Sequence, residues 1–214
     1  MLIMNLWNYY DGDLKYPDLN SHSHEKEIAK TNPIWAFEYV SKHGKDEDLE
    51  PTIAKDAYYS YQYSIDILHS KPFKLGEPAI AKNTEESYYY AKHILKGEFP
   101  LGEPAIAKDM DFSYEYTMLI NRRFELGELQ IAKDPFYSYR YAIDILEGPF
   151  NLGEPAIAKN SYYSYAYAKN ILEAPFKLGE PAIAKSTEYS KKYTQDVLKK
   201  DFVLDGKLIC KYEG

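Results

Sequence analysis

Apolar and polar residues recur along this chain with a period of 25 to 27 residues. The tripeptide Ile-Ala-Lys marks the period, and its lysine stands at Lys30, Lys55, Lys82, Lys108, Lys133, Lys159 and Lys185. A degraded copy, Ile-Cys-Lys, ends at Lys211. Self-similarity at such a period is typical of arrays in which each unit buries its apolar face against its neighbours. The pattern therefore predicts about seven structural repeats.

A long helix is predicted after each of these lysines. The next residue is usually Asp, Asn or Ser, whose short side chain can accept a hydrogen bond from an amide of the first helical turn. The predicted caps are Asn32, Asp56, Asn83, Asp109, Asp134, Asn160 and Ser186. Pro33 and Pro135 stand at the first helical position, where the missing amide proton costs nothing. The helix is then expected to run for about thirteen residues.

The buried side of the long helix follows from its apolar positions. Counted from the lysine as position 0, these are positions 4, 5, 6, 8, 9, 12 and 13, which form one wide arc of a helix. Position 5 is serine in repeats two to seven and position 9 is often alanine, so the centre of the arc is small and predicts close approach by another backbone. The Pro-Ala-Ile-Ala segment is the expected partner. The tyrosines at positions 6 and 8 are expected in the core, with their hydroxyls reaching outward.

The second segment of the repeat reads Leu-Gly-Glu-Pro-Ala-Ile-Ala-Lys in its cleanest form, as at residues 152–159. Acid at its start and base at its end favour a short helix of one to two turns, with the repeated lysines complementing helix dipoles and nearby glutamates. From the following phenylalanine to the next tripeptide isoleucine is always seven residues, whereas lysine to phenylalanine varies from sixteen to eighteen. We expect this variation in an exposed link after the long helix.

These elements predict an all-α fold, an α-solenoid of about seven short-helix/long-helix repeats. The predicted organisation is a non-repeat cap at residues 1–27, the array at 28–201 and a degenerate C-terminal cap at 202–214. Position 6 is tyrosine in repeats two to six, as at Tyr165, but Lys191 in the seventh. A terminal repeat needs a polar outer face, so position 6 is predicted to face the following repeat.

Composition narrows the function classes. The net charge is −7, with 26 basic and 33 acidic side chains, which argues against nucleic acid or an anionic membrane as partner. Neither a secretion signal nor a membrane span is recognisable, so a cytoplasmic protein is expected. Cys210 is the single cysteine and cannot form an intramolecular disulfide. His22 and His24 lack a second ligand cluster, so neither a metal nor a cofactor is predicted.

The repeat also carries a resemblance. Its Gly-Glu-Pro-Ala-Ile-Ala-Lys stretch and its Tyr-Ser-Tyr-x-Tyr-Ala helix, best seen at residues 153–168, resemble short helical repeats in proteins of large tailed bacteriophages and giant viruses. The likeness covers about residues 28 to 211. It implies an α-solenoid in a viral, host-intracellular setting and carries over no catalytic residue. The two-helix unit is more distantly similar to the Sel1 and tetratricopeptide class.

No catalytic constellation is recognisable, and the sequence favours a noncatalytic scaffold that binds another protein. With the resemblance, this becomes a phage protein that binds and inhibits a host protein, such as a defence component. Two alternatives stay open: a virion or assembly component, and a sponge for a small molecule such as a nucleotide signal. Large aromatic residues outside the buried arc are the predicted contact anchors. They are Tyr58, Tyr89, Phe136 and Tyr162, and the unmatched N-terminal segment adds Trp7, Tyr9 and Tyr10 as further predicted anchors. Oligomeric state is left open.

Overall fold

The computed structural model describes residues 22–214. Within that range the chain forms two compact units, residues 22–79 and residues 80–214, and each is described by itself. Both are built from alternating short and long helices, and the predicted all-α repeat fold is confirmed.

Each Ile-Ala-Lys lysine lies between a shorter helix and a longer one. The shorter helices are α1 (His22–Ala29), α3 (Glu50–Ile53), α5 (Glu77–Ile80), α7 (Glu103–Ile106), α9 (Glu128–Ile131), α11 (Glu154–Ile157) and α13 (Glu180–Ile183). The longer ones are α2 (Pro33–His43), α4 (Ala57–Gln62), α6 (Thr84–Tyr89), α8 (Met110–Ile120), α10 (Pro135–Asp144), α12 (Ser161–Tyr167) and α14 (Thr187–Tyr193). The predicted short helix of about one turn is therefore correct. Helix α1 is longer and begins inside the segment assigned to the N-terminal cap.

Every predicted helix cap is confirmed. The side chains of Asn32, Asp56, Asn83, Asp109, Asp134, Asn160 and Ser186 each accept a hydrogen bond from an amide of the following turn. Proline occupies the first turn of α2 and α10, as expected. Capping of this kind satisfies amides that have no partner within the helix, so each long helix starts at a fixed residue.

Part of the variable length of the repeat lies inside the long helix, so the expectation of a variable exposed link is only partly correct. In the longest repeat, which precedes Phe73, the extra residue does lie after the helix, where His69 and Ser70 both have positive φ. Four long helices end in a π-helical turn, in which each carbonyl accepts from the amide five residues later. These turns are Tyr63–Ile67, Tyr90–Leu95, Ala168–Leu172 and Thr194–Leu198. The shortest repeat has instead a regular α8 that ends at Asn121, a left-handed residue three positions before Phe124.

The same three-residue step from a left-handed residue to the phenylalanine holds in the longer repeats of the second unit. Those residues are Lys96, Glu147, Glu173 and Lys199, with φ between 47° and 54°. In the second unit the link is therefore constant, and in three of these four repeats the added residue widens the last helical turn into a π-turn. A π-turn is how a helix accepts a one-residue insertion without shifting the residues on either side.

The small centre of the buried arc receives another backbone, as predicted. Ser138 is buried, and its hydroxyl donates to the carbonyl of Ile131 at 3.1 Å. A Cβ placed on Gly153 of the next repeat would lie 2.6 Å from Ser138 Cβ and 2.5 Å from Phe150 Cδ1. The serine thus ties the short helix to the long helix of its own repeat and leaves room for the next chain segment. That segment is Leu-Gly, just before the predicted Pro-Ala-Ile-Ala.

The chain ends in a β-hairpin that the all-helical prediction missed. Strand β1 (Phe202–Leu204) pairs antiparallel with β2 (Lys207–Cys210), joined by Asp205 and Gly206, which both have positive φ. Asp-Gly between apolar residues is the preferred sequence of a two-residue hairpin turn, so the signal was present. Phe202 still packs on Tyr193, with ring centroids 5.3 Å apart, as the repeated phenylalanines do.

In the first unit, α1 packs on α2, and their core includes Ala29, Ala36 and Val40. Lys26 of α1 forms ion pairs with Asp46 at 2.6 Å and with Asp48 at 2.8 Å, both in the loop between α2 and α3. The segment that begins at His22 therefore forms the first helix of the first pair.

The predicted stacking direction is confirmed within the second unit. Tyr165 at position 6 is buried, stacks on Tyr189 of the following repeat at 5.9 Å and donates to Asp196. Lys191, at position 6 of the last repeat, is exposed. The tyrosine at position 6 therefore faces the next repeat, and the aromatic residue at position 4 faces the previous one.

Gly153→Ala is expected to lower the free energy of unfolding by about 1–3 kcal/mol, because the added methyl would overlap Ser138 and Phe150 in a packed core. Gly97→Ala is the matched control, since nothing lies within 4 Å of a Cβ there. Urea unfolding followed by circular dichroism measures both. Equal stability of Gly153→Ala and the wild type would contradict the close approach.

Tyr165→Lys is expected to cost a few kcal/mol of stability, because it removes a large buried side chain between two repeats. Lys191→Ala, at the same position of the terminal repeat, is expected to stay within about 0.5 kcal/mol of the wild type. Thermal melts of the two variants provide the measurement. Similar melting temperatures for both would rule out the stacking direction described above.

Candidate protein-binding surface

Each tyrosine at position 8 contacts three parts of the array: the backbone of the preceding phenylalanine, a short-helix glutamate and the ring of the following phenylalanine. The Tyr141 hydroxyl accepts a hydrogen bond from the Phe124 amide at 3.2 Å and donates to Glu128 at 2.9 Å, both earlier in the chain. Its ring packs on the later Phe150 with centroids 4.9 Å apart. The same pattern recurs at Tyr116, Tyr167 and Tyr193. The expectation that these hydroxyls reach outward is therefore wrong.

The glutamates of the short helices accept the hydrogen bonds that these tyrosine hydroxyls donate. Glu128 and Glu180 are buried, and each also pairs with a basic residue at the surface: Arg123 at 2.6 Å and Lys177 at 2.9 Å. Burial and the neighbouring glutamate raise the pKa of Tyr141 and of Tyr193 well above the usual range. Each tyrosine therefore stays neutral and remains a hydrogen-bond donor to the carboxylate.

Position 6 forms a second set of polar contacts between consecutive repeats. The Tyr114 hydroxyl donates to Asp144 at 3.1 Å, and the Asn170 amide donates to the Tyr139 hydroxyl at 2.9 Å. Asp144 and Asn170 both stand at position 11 of the following repeat. Because these contacts fix neighbouring long helices, the side chains that project from them are held on a rigid support.

Two of the predicted anchors, Phe136 and Tyr162, lie on this support in the second unit. They are 43% and 45% exposed. Each ring also rests on a tyrosine of the next repeat: Phe136 on Tyr163 at 6.2 Å and Tyr162 on Tyr189 at 5.7 Å. The rings are therefore oriented by packing while nearly half of their surface stays open to solvent.

The other predicted anchors have different positions. Tyr58, in the first unit, is 38% exposed and meets Tyr59 edge to face at 5.2 Å. Tyr89 is half-buried and so less exposed than the other three. Its ring stacks on His93 at 5.5 Å and contacts Phe112 at 5.9 Å, so it contributes to packing within the second unit. Trp7, Tyr9 and Tyr10 lie outside the described residues.

The repeated lysines of the second unit are not paired with the short-helix glutamates, contrary to expectation. Lys82, Lys108, Lys133, Lys159 and Lys185 are all exposed. Lys133 donates to the neutral Gln130 at 2.5 Å, and none of the five forms an ion pair with a residue in 22–214. Lys82 and Lys108 line one open cleft of about 480 Å³ with Glu85, Asp109 and Phe112. These ammonium groups are thus available to a partner.

A row of exposed leucines was missed by the sequence reasoning. The leucine before each repeated glycine is about half exposed in the second unit, at Leu101, Leu126, Leu152 and Leu178. A leucine repeated in every unit is normally a core residue, so repetition alone gave no sign of exposure. Only the close approach of the adjacent glycine, which turns the leucine away from the core, accounts for it.

Among the side chains of residues 24–214, no cluster of three or more His, Cys, Asp or Glu could hold a metal ion. No helix in that range has the length and apolar character needed to cross a membrane. Comparison of the chain with protein-family models, with curated proteins and with solved structures finds no match.

The tyrosine–glutamate contacts predict instability in alkali. A raised pKa means that the neutral phenol is favoured in the folded state, so this stabilisation is complete below the ordinary tyrosine pKa of 10.0 and is lost as pH rises above it. We expect helical circular dichroism to fall above pH 10 together with the appearance of tyrosinate absorbance. Full tyrosinate absorbance at unchanged helical content would show that these phenols are not held by folding.

Proposed function

We propose that this chain is a noncatalytic scaffold that binds another protein through the exposed aromatic face of its long helices. The observation that carries the proposal is the pair of oriented, half-open rings of Phe136 and Tyr162. Aromatic side chains that are already fixed lose little conformational entropy on binding, and such residues dominate protein interfaces.

The position of these rings in the repeat supports the same proposal. Position 3 is Phe136 and Tyr162 in the fifth and sixth repeats but Glu85, Asp111 and Glu188 in three others. Packing of the repeat therefore does not demand an aromatic residue there. The resemblance to repeats of phage and giant-virus proteins favours a host protein, including a defence component, as the partner.

A second candidate function is an assembly component, and the leucine row favours it. Leu101, Leu126, Leu152 and Leu178 present the same exposed apolar group in consecutive repeats. A surface whose chemistry repeats at a constant interval fits a partner that also repeats, such as other subunits of an assembly.

Co-purification from cells that express tagged protein distinguishes the two functions. We expect one stoichiometric partner with the wild type, and its loss by at least about tenfold with Phe136→Ala/Tyr162→Ala, because two central aromatic anchors together exceed about 1.4 kcal/mol. Leu152→Ser/Leu178→Ser is the matched control on the leucine row. Helical circular dichroism verifies that both variants fold.

Full retention of the partner by the aromatic variant would contradict the aromatic face as the binding surface. Loss of the partner only with the leucine variant, together with recovery of large assemblies by the wild type, would support the assembly function instead.

A further inference from the structure

The cleft lined by Lys82 and Lys108 defines which positions of two successive repeats share a groove. Its residues are positions 0 to 3 of one repeat and positions 0, 1 and 4 of the next. In this first groove, the Lys82–Lys108 cleft, the two ammonium groups are balanced by the carboxylates of Glu85 and Asp109. The groove therefore carries no net charge.

The same positions are more acidic one repeat later. We give the same name to the corresponding positions of each later pair of repeats, and the Lys108–Lys133 cleft defined in this way has two lysines against Asp109, Asp111 and Asp134. A hydrogen bond from the Tyr137 hydroxyl to Asp111 raises the pKa of Tyr137 to about 12, which shows that this carboxylate is already engaged inside the repeat array. The net charge of this groove is therefore negative, which disfavours an anionic partner.

The charge reverses toward the C-terminal end of the unit. The Lys133–Lys159 cleft keeps a single carboxylate, Asp134, which is occupied in capping α10 at 2.8 Å from the Phe136 amide. The Lys159–Lys185 cleft has none, because its caps are Asn160 and Ser186. Two successive grooves of an acidic protein are thus cationic.

These two cationic grooves are also the ones that hold the exposed rings. Phe136 stands in the Lys133–Lys159 cleft and Tyr162 in the Lys159–Lys185 cleft, each in contact with the position 4 ring of the next repeat. In the Lys82–Lys108 cleft, the same position 3 is Glu85. A net positive charge and an exposed aromatic ring at position 3 therefore coincide in the fifth to seventh repeats, and both are absent from the Lys82–Lys108 cleft.

We propose that the Lys133–Lys159 and Lys159–Lys185 clefts together bind an extended acidic segment of a partner protein, with carboxylates on the lysines and apolar side chains on Phe136 and Tyr162. The proposal rests on the protein-binding function above and names the chemistry of the partner. Packed helices lie about 8–10 Å apart, and a chain extended in the polyproline II conformation advances about 3.1 Å per residue with three residues per turn, so that every third side chain lies on one face. A carboxylate at every third residue would therefore meet successive lysines.

The test uses the full chain and a fluorescein-labelled peptide of four Glu-Ser-Leu units, with four Gln-Ser-Leu units as the uncharged comparison. Fluorescence anisotropy at low ionic strength should show binding of the acidic peptide and not of the uncharged one. Lys159→Gln/Lys185→Gln should weaken binding by about tenfold, the effect of losing two partly solvated ion pairs. Tyr162→Ala should weaken it severalfold.

Lys82→Gln/Lys108→Gln is the matched control, because it removes the same charge from the same repeat positions in a groove that is already neutral. An equal loss of affinity in this control would overturn the proposal by showing a response to net charge alone. Inorganic pyrophosphate is the competing probe. Displacement of the peptide by pyrophosphate at concentrations far below those of the peptide would also overturn it and identify a small-anion site.

Failure here is distinguishable from failure of the binding function itself. If the partner that co-purifies with the wild type is lost with Phe136→Ala/Tyr162→Ala but fully retained by Lys159→Gln/Lys185→Gln, the scaffold function stands and the acidic class of partner is wrong.

Discussion

The hydrogen bonds of one buried phenol determine how this repeat is built. The position 8 hydroxyl satisfies the amide of the preceding phenylalanine and is itself satisfied by a short-helix glutamate, as at Tyr141. Its ring meanwhile packs on the next phenylalanine. A buried polar group without a partner would be costly, so all three groups must be present together. A change of the phenylalanine, the glutamate or the tyrosine in one repeat is therefore expected to affect the contacts of the other two.

Much of the fold follows from local chemistry that sequence reasoning can read. The caps, the first-turn prolines, the serine that admits a neighbouring backbone and the direction in which position 6 faces all depend on residue type and spacing within one repeat. The hairpin at Asp205-Gly206 was also readable, but the expectation of a further helical copy concealed it. In each of these cases a few adjacent residues carry the whole physical cause.

Other features depend on distant residues and could not be predicted in this way. The added residue lies in the π-turns, and its position depends on which carbonyls the last amides of the helix can reach. That in turn depends on how the position 8 tyrosines are held by residues of the preceding segment. The lysines were expected to pair with glutamates, but those glutamates accept from tyrosines that lie thirteen residues away. The charge of each groove appears only when two repeats are placed side by side. Phe136 and Tyr162 are exposed, as their place outside the buried arc predicts. Tyr89 was chosen on the same ground, but it contacts Phe112 of the next repeat, which the arc of a single helix does not reveal.

The π-turns have a consequence for how such a gene can change. Since an inserted or deleted codon near the end of a long helix is absorbed before the left-handed residue, the positions of the following phenylalanine and short helix are preserved. Recombination between repeats of unequal length would then still place the following phenylalanine and short helix at their normal positions. The array can therefore gain or lose whole units, and exchange grooves of different charge, without a compensating change elsewhere in the chain.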